Sequence, residues 1–171
     1  MTNQWRYHPT RPGRRPGVSA HQEFSTEAAR EAARRDELGE WVARFLASPG
    51  SDNAELAAGL TEAPRWWLGP VQVPLAQLNR LAGPPGEPAL EPVAEDEWRD
   101  DVTDLARRIE DGHEPPPVIA SHVDGRLELE DGNHRVEALR RAGEDRAWAI
   151  ISFDTPAERD SFIARSAAAL D

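Results

Sequence analysis

The sequence predicts an α/β chain of the α+β kind, with a small mixed sheet, packed helices and an N-terminal helical appendage. Three observations predict it. Residues 118–151 read strand, strand, helix, strand; the stretches Leu38–Leu46 and Trp98–Ile109 space their apolar residues for one helical face; and Asp124-Gly125 joins two alternating runs as a hairpin turn. With 171 residues there is room for one sizeable core and not for two large domains. The expected organisation is a disordered basic tail at 1–22, the helical appendage at 23–64, the sheet domain at 65–154 and a C-terminal helix packed on it at 155–171.

The tail carries Arg6, Arg11, Arg14 and Arg15, no acid and little to bury, which favours a solvated terminus. From Ser25 the chain turns Ala-, Glu- and Arg-rich. Leu38, Trp41, Val42, Phe45 and Leu46 then fall at i, i+3, i+4, i+7 and i+8, on a helix that Pro49-Gly50 ends. Ser51-Asp52-Asn53 caps a second, short helix expected to stop at Gly59. Pro64-Arg65-Trp66-Trp67 reads as a domain seam or, alternatively, as two aromatic faces for stacking on a base.

Val71-Gln72-Val73 alternates as a short strand, Pro74 starts a turn or helix over Leu75–Leu81, and Gly83 to Pro92 forms a proline-rich loop, either a flap or a rigid connection. Trp98, Val102, Leu105 and Ile109 mark an amphipathic helix closed by Gly112. Pro115-Pro116-Pro117 leads into a strand at Val118, the hairpin returns through Leu127–Glu130, a helix spans Asn133 to Ala142, and Ala147–Ile151 is a buried strand. Thr155-Pro156-Ala157-Glu158 combines a capping box with proline at the first helical position, launching a helix that carries Phe162 and Ile163 inward.

Composition removes several function classes. Without cysteine there is no disulfide, thiolate zinc site or thiol nucleophile, so all chemistry falls to oxygen and nitrogen groups. No run approaches the roughly 18 apolar residues of a spanning helix, and the basic N-terminus lacks the apolar core of a secretory signal; a soluble, cytoplasmic protein is expected. The net charge of -11 means that any hold on nucleic acid would need a local basic patch. His8, His21, His113 and His122 lack the paired spacing of a metal site and are expected on exposed loops or in the tail.

The candidate functional centre is Glu130-Asp131-Gly132-Asn133-His134-Arg135, where a strand passes through a tight turn into a helix. Up to four amides at a helix start lack an internal partner, and the macrodipole places about half a positive charge there, so a phosphate can be held by backbone alone. Gly132 permits close approach. Arg135 can fork two phosphate oxygens, and His134 can donate a bond or move a proton near neutral pH. Glu130 and Asp131 are hard oxygen ligands suited to Mg²⁺ or to a base. The plain alternative makes Asp131 a helix cap and leaves His134 and Arg135 to neighbours or solvent. Against it, two cations at a helix start oppose the dipole, which an anion would offset.

The stretches Pro116-Pro117-Val118-Ile119, Asp124-Gly125-Arg126-Leu127-Glu128-Leu129, Asp131-Gly132-Asn133-His134-Arg135-Val136-Glu137-Ala138-Leu139 and Arg141-Ala142-Gly143, with Val71–Leu78 ahead of them, resemble the ParB N-terminal/sulfiredoxin-like superfamily over Pro70 to Phe153. The resemblance implies a small α/β fold that binds nucleotide phosphates at this turn. Elsewhere in the superfamily that site serves CTP-dependent DNA clamping, ATP-dependent sulfinic acid repair and ADP- or ATP-dependent serine phosphorylation. Gly132 and Arg135 match its phosphate-binding turn, and His134 matches the histidine of the sulfiredoxins and kinases. Asn133 stands where a sulfiredoxin has its cysteine, which excludes that repair chemistry; the partition proteins have Glu-Arg-Arg after the glycine, and their downstream DNA-binding helices are not found.

The functional expectation is therefore a domain that binds a nucleoside di- or triphosphate through Gly132, Asn133, His134 and Arg135. His134, Asp131 and Glu130 would be its catalytic groups and Mg²⁺ would sit on Glu130 and Asp131 if a phosphoryl group is transferred to a small-molecule acceptor or hydrolysed, as by a small-molecule kinase or a nucleotide phosphohydrolase. The alternatives are a non-catalytic, nucleotide-responsive interaction module, and a DNA-associated protein using the basic tail and paired tryptophans. The sequence does not define an oligomeric state.

Overall fold

The computed structural model describes residues 20–80 and 95–168, so the basic tail up to residue 19 and the proline-rich loop at 83–92 lie outside the described residues. The chain opens with a one-turn helix α1 (Ala20–Glu23), followed by α2 (Thr26–Arg34), α3 (Leu38–Leu46) and α4 (Ala54–Thr61). The single helix expected from Ser25 is thus two. Arg34 is followed by Asp36 in the left-handed region (φ 61°), while the Glu37 and Asp36 amides donate to the Ala32 and Ala33 carbonyls. That crossed pair of bonds closes a helix, and a short polar side chain tolerates the backbone it needs. Both pieces keep an apolar side, so the periodicity carried no sign of the break. The boundary expected at Gly59 also moves: α4 runs through Gly59 to Thr61, and Asn53 makes no side-chain cap bond.

Strand β1 (Trp66–Pro74) is longer than the three residues expected, because Trp66 and Trp67 themselves pair with Phe153 and Ser152. An irregularity between Leu68 and Val71 accommodates Pro70, which is tolerated because β1 lies at a sheet edge. After Pro74 the chain makes a 3-10 turn (Leu75–Gln77) and then β2 (Leu78–Arg80), not a helix to Leu81. The remaining elements are α5 (Glu95–Glu110), β3 (Val118–Val123), β4 (Arg126–Asp131), α6 (Asn133–Arg141), β5 (Arg146–Phe153) and α7 (Pro156–Ala168).

The strands form one mixed sheet in the order β1-β5-β3-β4-β2. β1 with β5 and β3 with β4 run antiparallel, whereas β3 with β5 and β2 with β4 run parallel. Alternation along the central strands sends side chains to two cores. Val118, Ala120, Ala149 and Ile151 face Val102, Ala106 and Ile109 of α5 and Val136 and Leu139 of α6. Ile119 and Ile150, between them in sequence, face Ala29, Ala32, Trp41, Val42, Phe45, Leu46 and Leu60 of the N-terminal helices. The N-terminal helices therefore roof the second face of the sheet.

At the C-terminal end, the capping box forms as expected. The Glu158 amide donates to Thr155 Oγ1, and the Thr155 amide donates to the Glu158 carboxylate, each at 3.2 Å. Phe162 packs inward on Phe153, but Ile163 is 43% exposed, one residue round the helix from the buried side. Among the described residues no helix is long and apolar enough to cross a membrane.

Ile150 is fully buried where the helical roof meets the sheet. Ile150→Ala is expected to lower unfolding free energy by about 2–5 kcal/mol. Urea melts followed by tryptophan fluorescence and far-UV circular dichroism should still coincide; two separated transitions would show that roof and sheet unfold independently.

Candidate functional site

β4 delivers Asp131 opposite Ile119 of β3, and Gly132 then turns the chain into α6 with φ 115° and ψ 24°. Only glycine adopts that backbone readily, and space imposes the same choice: a Cβ there would stand 2.7 Å from Val118 Cγ1. Gly132 is the N-cap of α6, no side chain caps the helix, and its first helical bond runs from the Val136 amide to the Gly132 carbonyl at 2.9 Å. The amides of Asn133, His134 and Arg135 consequently precede any intrahelical acceptor. Asp131, offered by the sequence as an alternative cap, does not serve as one.

The expected residues are brought together at one end of the sheet, but they divide into two sets. His134 is half-buried and lies beside Trp98 of α5, ring centroids 5.8 Å apart; Arg141 covers the same indole at 5.7 Å. Glu130 is half-buried and has no hydrogen-bond or ion-pair partner among the described residues. Arg135 points the other way. One Nη1 donates to the Pro116 carbonyl at 3.2 Å and to that of Pro117, Nη2 is hydrogen-bonded to the Asp131 carboxylate, and the guanidinium lies 5.1 Å from the centre of the Phe45 ring. The side chains of this ion pair are 12% and 13% exposed. Burial pushes the Arg135 guanidinium below its ordinary value and Asp131 opposes that shift, the signature of a charge held inside the protein by a single counter-ion.

In this structure, then, the Arg135 guanidinium, expected from the sequence to clamp a phosphate at the turn, is engaged by Asp131 and the Pro116 and Pro117 carbonyls, its carbon 3.3 Å from where a Cβ on Gly132 would stand. The reason is competition. Asp131 is four residues away along the chain, and the Pro116 and Pro117 carbonyls at the foot of β3 accept from the same guanidinium. The expected Mg²⁺ pair is altered by the same contact: Asp131 is committed to Arg135, and among the described residues Glu130 stands alone and no group of three or more His, Asp or Glu side chains could hold a metal ion. The residues present do not fit that ion.

Phe45, Pro116 and Pro117 were legible in the sequence only as a helix face and a strand entry, and not as partners of Arg135. His122 also departs from expectation. It lies in β3 at 8% exposure, against Phe153 and Phe162, with neither ring nitrogen hydrogen-bonded among the described residues. Trp66 and Trp67, each partly buried, pack on the two cores from β1, as residues sealing a seam do. A cavity of about 270 Å³ opens between Gln22, Phe24 and Ser25 and the segment His113, Glu114 and Pro116. Its polar groups are largely committed, since Ser25 Oγ caps α2 and Glu114 accepts from the Trp148 indole.

What these elements define is a mixed α/β protein with helices on both sheet faces and an uncapped helix start at the end of β4. No family model matches the chain, and no curated protein matches it significantly. Among solved structures it is similar to sulfiredoxin from Arabidopsis thaliana, with 22% identity and a TM-score of 0.37, over 47% of this chain and 81% of that one. It is also similar to the C-terminally truncated chromosome-partitioning protein ParB from Caulobacter crescentus. Complexed to the centromeric parS site, that structure gives 20% identity and a TM-score of 0.33, over 47% of this chain and 37% of that chain. Complexed with CTP-gamma-S, it gives 22% and 0.34, over 48% and 42%. The chain thus spans less than half the length of the ParB structures, and the likeness is one of fold.

Asp131→Asn keeps the shape of the ion pair but leaves Arg135 without its counter-charge, and should cost about 3 kcal/mol in urea unfolding. Gly132→Ala forces a side chain into both an unfavourable φ and the Val118 methyl, and should cost about 1–3 kcal/mol by the same measurement. A neutral result at Gly132 would mean that the turn relaxes freely.

Proposed function

We propose that this chain is a nucleotide-binding module whose turn from Gly132 to His134 holds a phosphate group, and that binding at this turn proceeds without turnover. The uncapped start of α6 carries the proposal: a left-handed glycine ends β4, and the amides after it are aligned with the positive end of a nine-residue helix. The Gly132 and Asn133 amides form the cradle. The His134 ring, steadied against Trp98, adds a donor beside it. The resemblance of Asp131–Arg135 to a phosphate-binding turn supports the choice of a nucleotide over a simple anion.

Binding is favoured over phosphoryl transfer because Asp131, the nearest carboxylate, is already paired with Arg135. One observation favours the enzymatic alternative: Glu130 is half-buried, without a partner among the described residues, and is the base that a phosphotransfer or hydrolysis reaction with His134 would use. DNA as a partner rests on the basic tail alone.

Isothermal titration with ATP, ADP, CTP and GTP, each with Mg²⁺, is expected to find saturable binding for at least one, competed by pyrophosphate and weakened about tenfold or more by His134→Ala. No binding by any of the four would end the proposal. Product formation that disappears in Glu130→Gln would establish the enzyme instead.

A further inference from the structure

Arg135 is at once the cation nearest the proposed phosphate cradle and, among the described residues, a bond between layers: it joins the α6 turn to the foot of β3 through Pro116 and Pro117, and to the helical roof through Phe45 of α3. From this juxtaposition we infer that Arg135 is a two-position latch, so that a phosphate at the turn draws the guanidinium off Phe45, Pro116 and Pro117 and loosens the N-terminal helices from the sheet. The inference deepens the proposed function and rests on it.

Charge sets the direction. In the structure described, one carboxylate balances the guanidinium, and its Nη1 donors end on two neutral carbonyls. A phosphate at the Gly132 and Asn133 amides arrives beside Asp131, and the like charges repel. Turning Arg135 toward the phosphate relieves that repulsion and replaces neutral acceptors by charged oxygens, which make bonds roughly twice as strong. The side chain springs from the first turn of α6, so the cradle is within its own reach.

The loss falls on the other layer. Phe45 would keep its contacts with Trp41 and Phe24, at 5.3 and 5.5 Å between ring centres, but no longer hold a cation, and the Pro116 and Pro117 carbonyls would pass to water. Phe24 and Pro116 also line the 270 Å³ cavity, so this seam is where the opening would widen. Because coupling between two equilibria is reciprocal, weakening the latch must strengthen phosphate binding by the same factor.

Hydrogen exchange of the full chain with saturating pyrophosphate, against NaCl of equal ionic strength, tests the latch. Exchange is expected to slow at 132–135 and to rise at 38–46 and at the amides of Glu114 and Val118, which flank the three prolines. In parallel, Phe45→Leu should bind pyrophosphate about two- to fivefold more tightly, the worth of one cation–π contact. Pyrophosphate that binds and protects the turn while α3 exchanges unchanged or more slowly overturns the latch and leaves the binding site standing. So does a Phe45→Leu protein with unaltered or weaker affinity. Failure of pyrophosphate to bind, with no nucleotide binding either, removes the site and the latch together. The wild-type exchange result decides the matter even if the variant does not fold.

Discussion

A guanidinium held inside the protein by a single carboxylate is the constraint around which this fold closes. Arg135 lies where three parts meet: the turn that starts α6, the proline segment that feeds β3, and the aromatic underside of α3. Removing a charge from water is expensive, and an ion pair with incomplete hydrogen bonding seldom recovers the cost. Here the donors on Nη1 end on carbonyls, one on Nη2 ends on a carboxylate, and an aromatic face covers the plane. Such a pair contributes less to net stability than to position. It makes one relation between turn, strand and roof much better than any other.

The sheet supplies the frame for that position. Its two central strands, β3 and β5, are apolar on both faces and accept a helical layer on each. The layer of α5 and α6 places Trp98 beside His134, while the layer of α2 to α4 places Phe45 under Arg135. Neighbouring residues on one turn therefore report to opposite layers. A ligand at the turn would touch both, which is why its electrostatic effect is not confined to the backbone that cradles it.

Legibility in the sequence followed the range of the interactions. The hairpin at Asp124-Gly125, the capping box at Thr155 and Glu158, the helix from Trp98 to Ile109 and the glycine turn at Gly132 were readable because each depends on residues a few positions apart. The break at Asp36 escaped because a helix stop needs no glycine when an acid can adopt the left-handed backbone and both halves keep their apolar side. His122 escaped because a histidine between Ser121 and Val123 looks exposed until Phe162 arrives from α7 to cover it. Trp66 and Trp67 read as a domain seam or a stacking pair, and only pairing with β5 made them strand residues.

The sequence by itself determined that a strand turns through Gly132 into a helix, and that His134 and Arg135 occupy the helix's first turn. Those are consequences of local backbone geometry. Only the tertiary structure decided which way Arg135 faces, because its partners at Pro116, Pro117 and Phe45 are 18 to 90 residues away. A long cationic side chain has no intrinsic direction; it goes wherever the folded chain leaves acceptors unfilled, and here those acceptors lie inside.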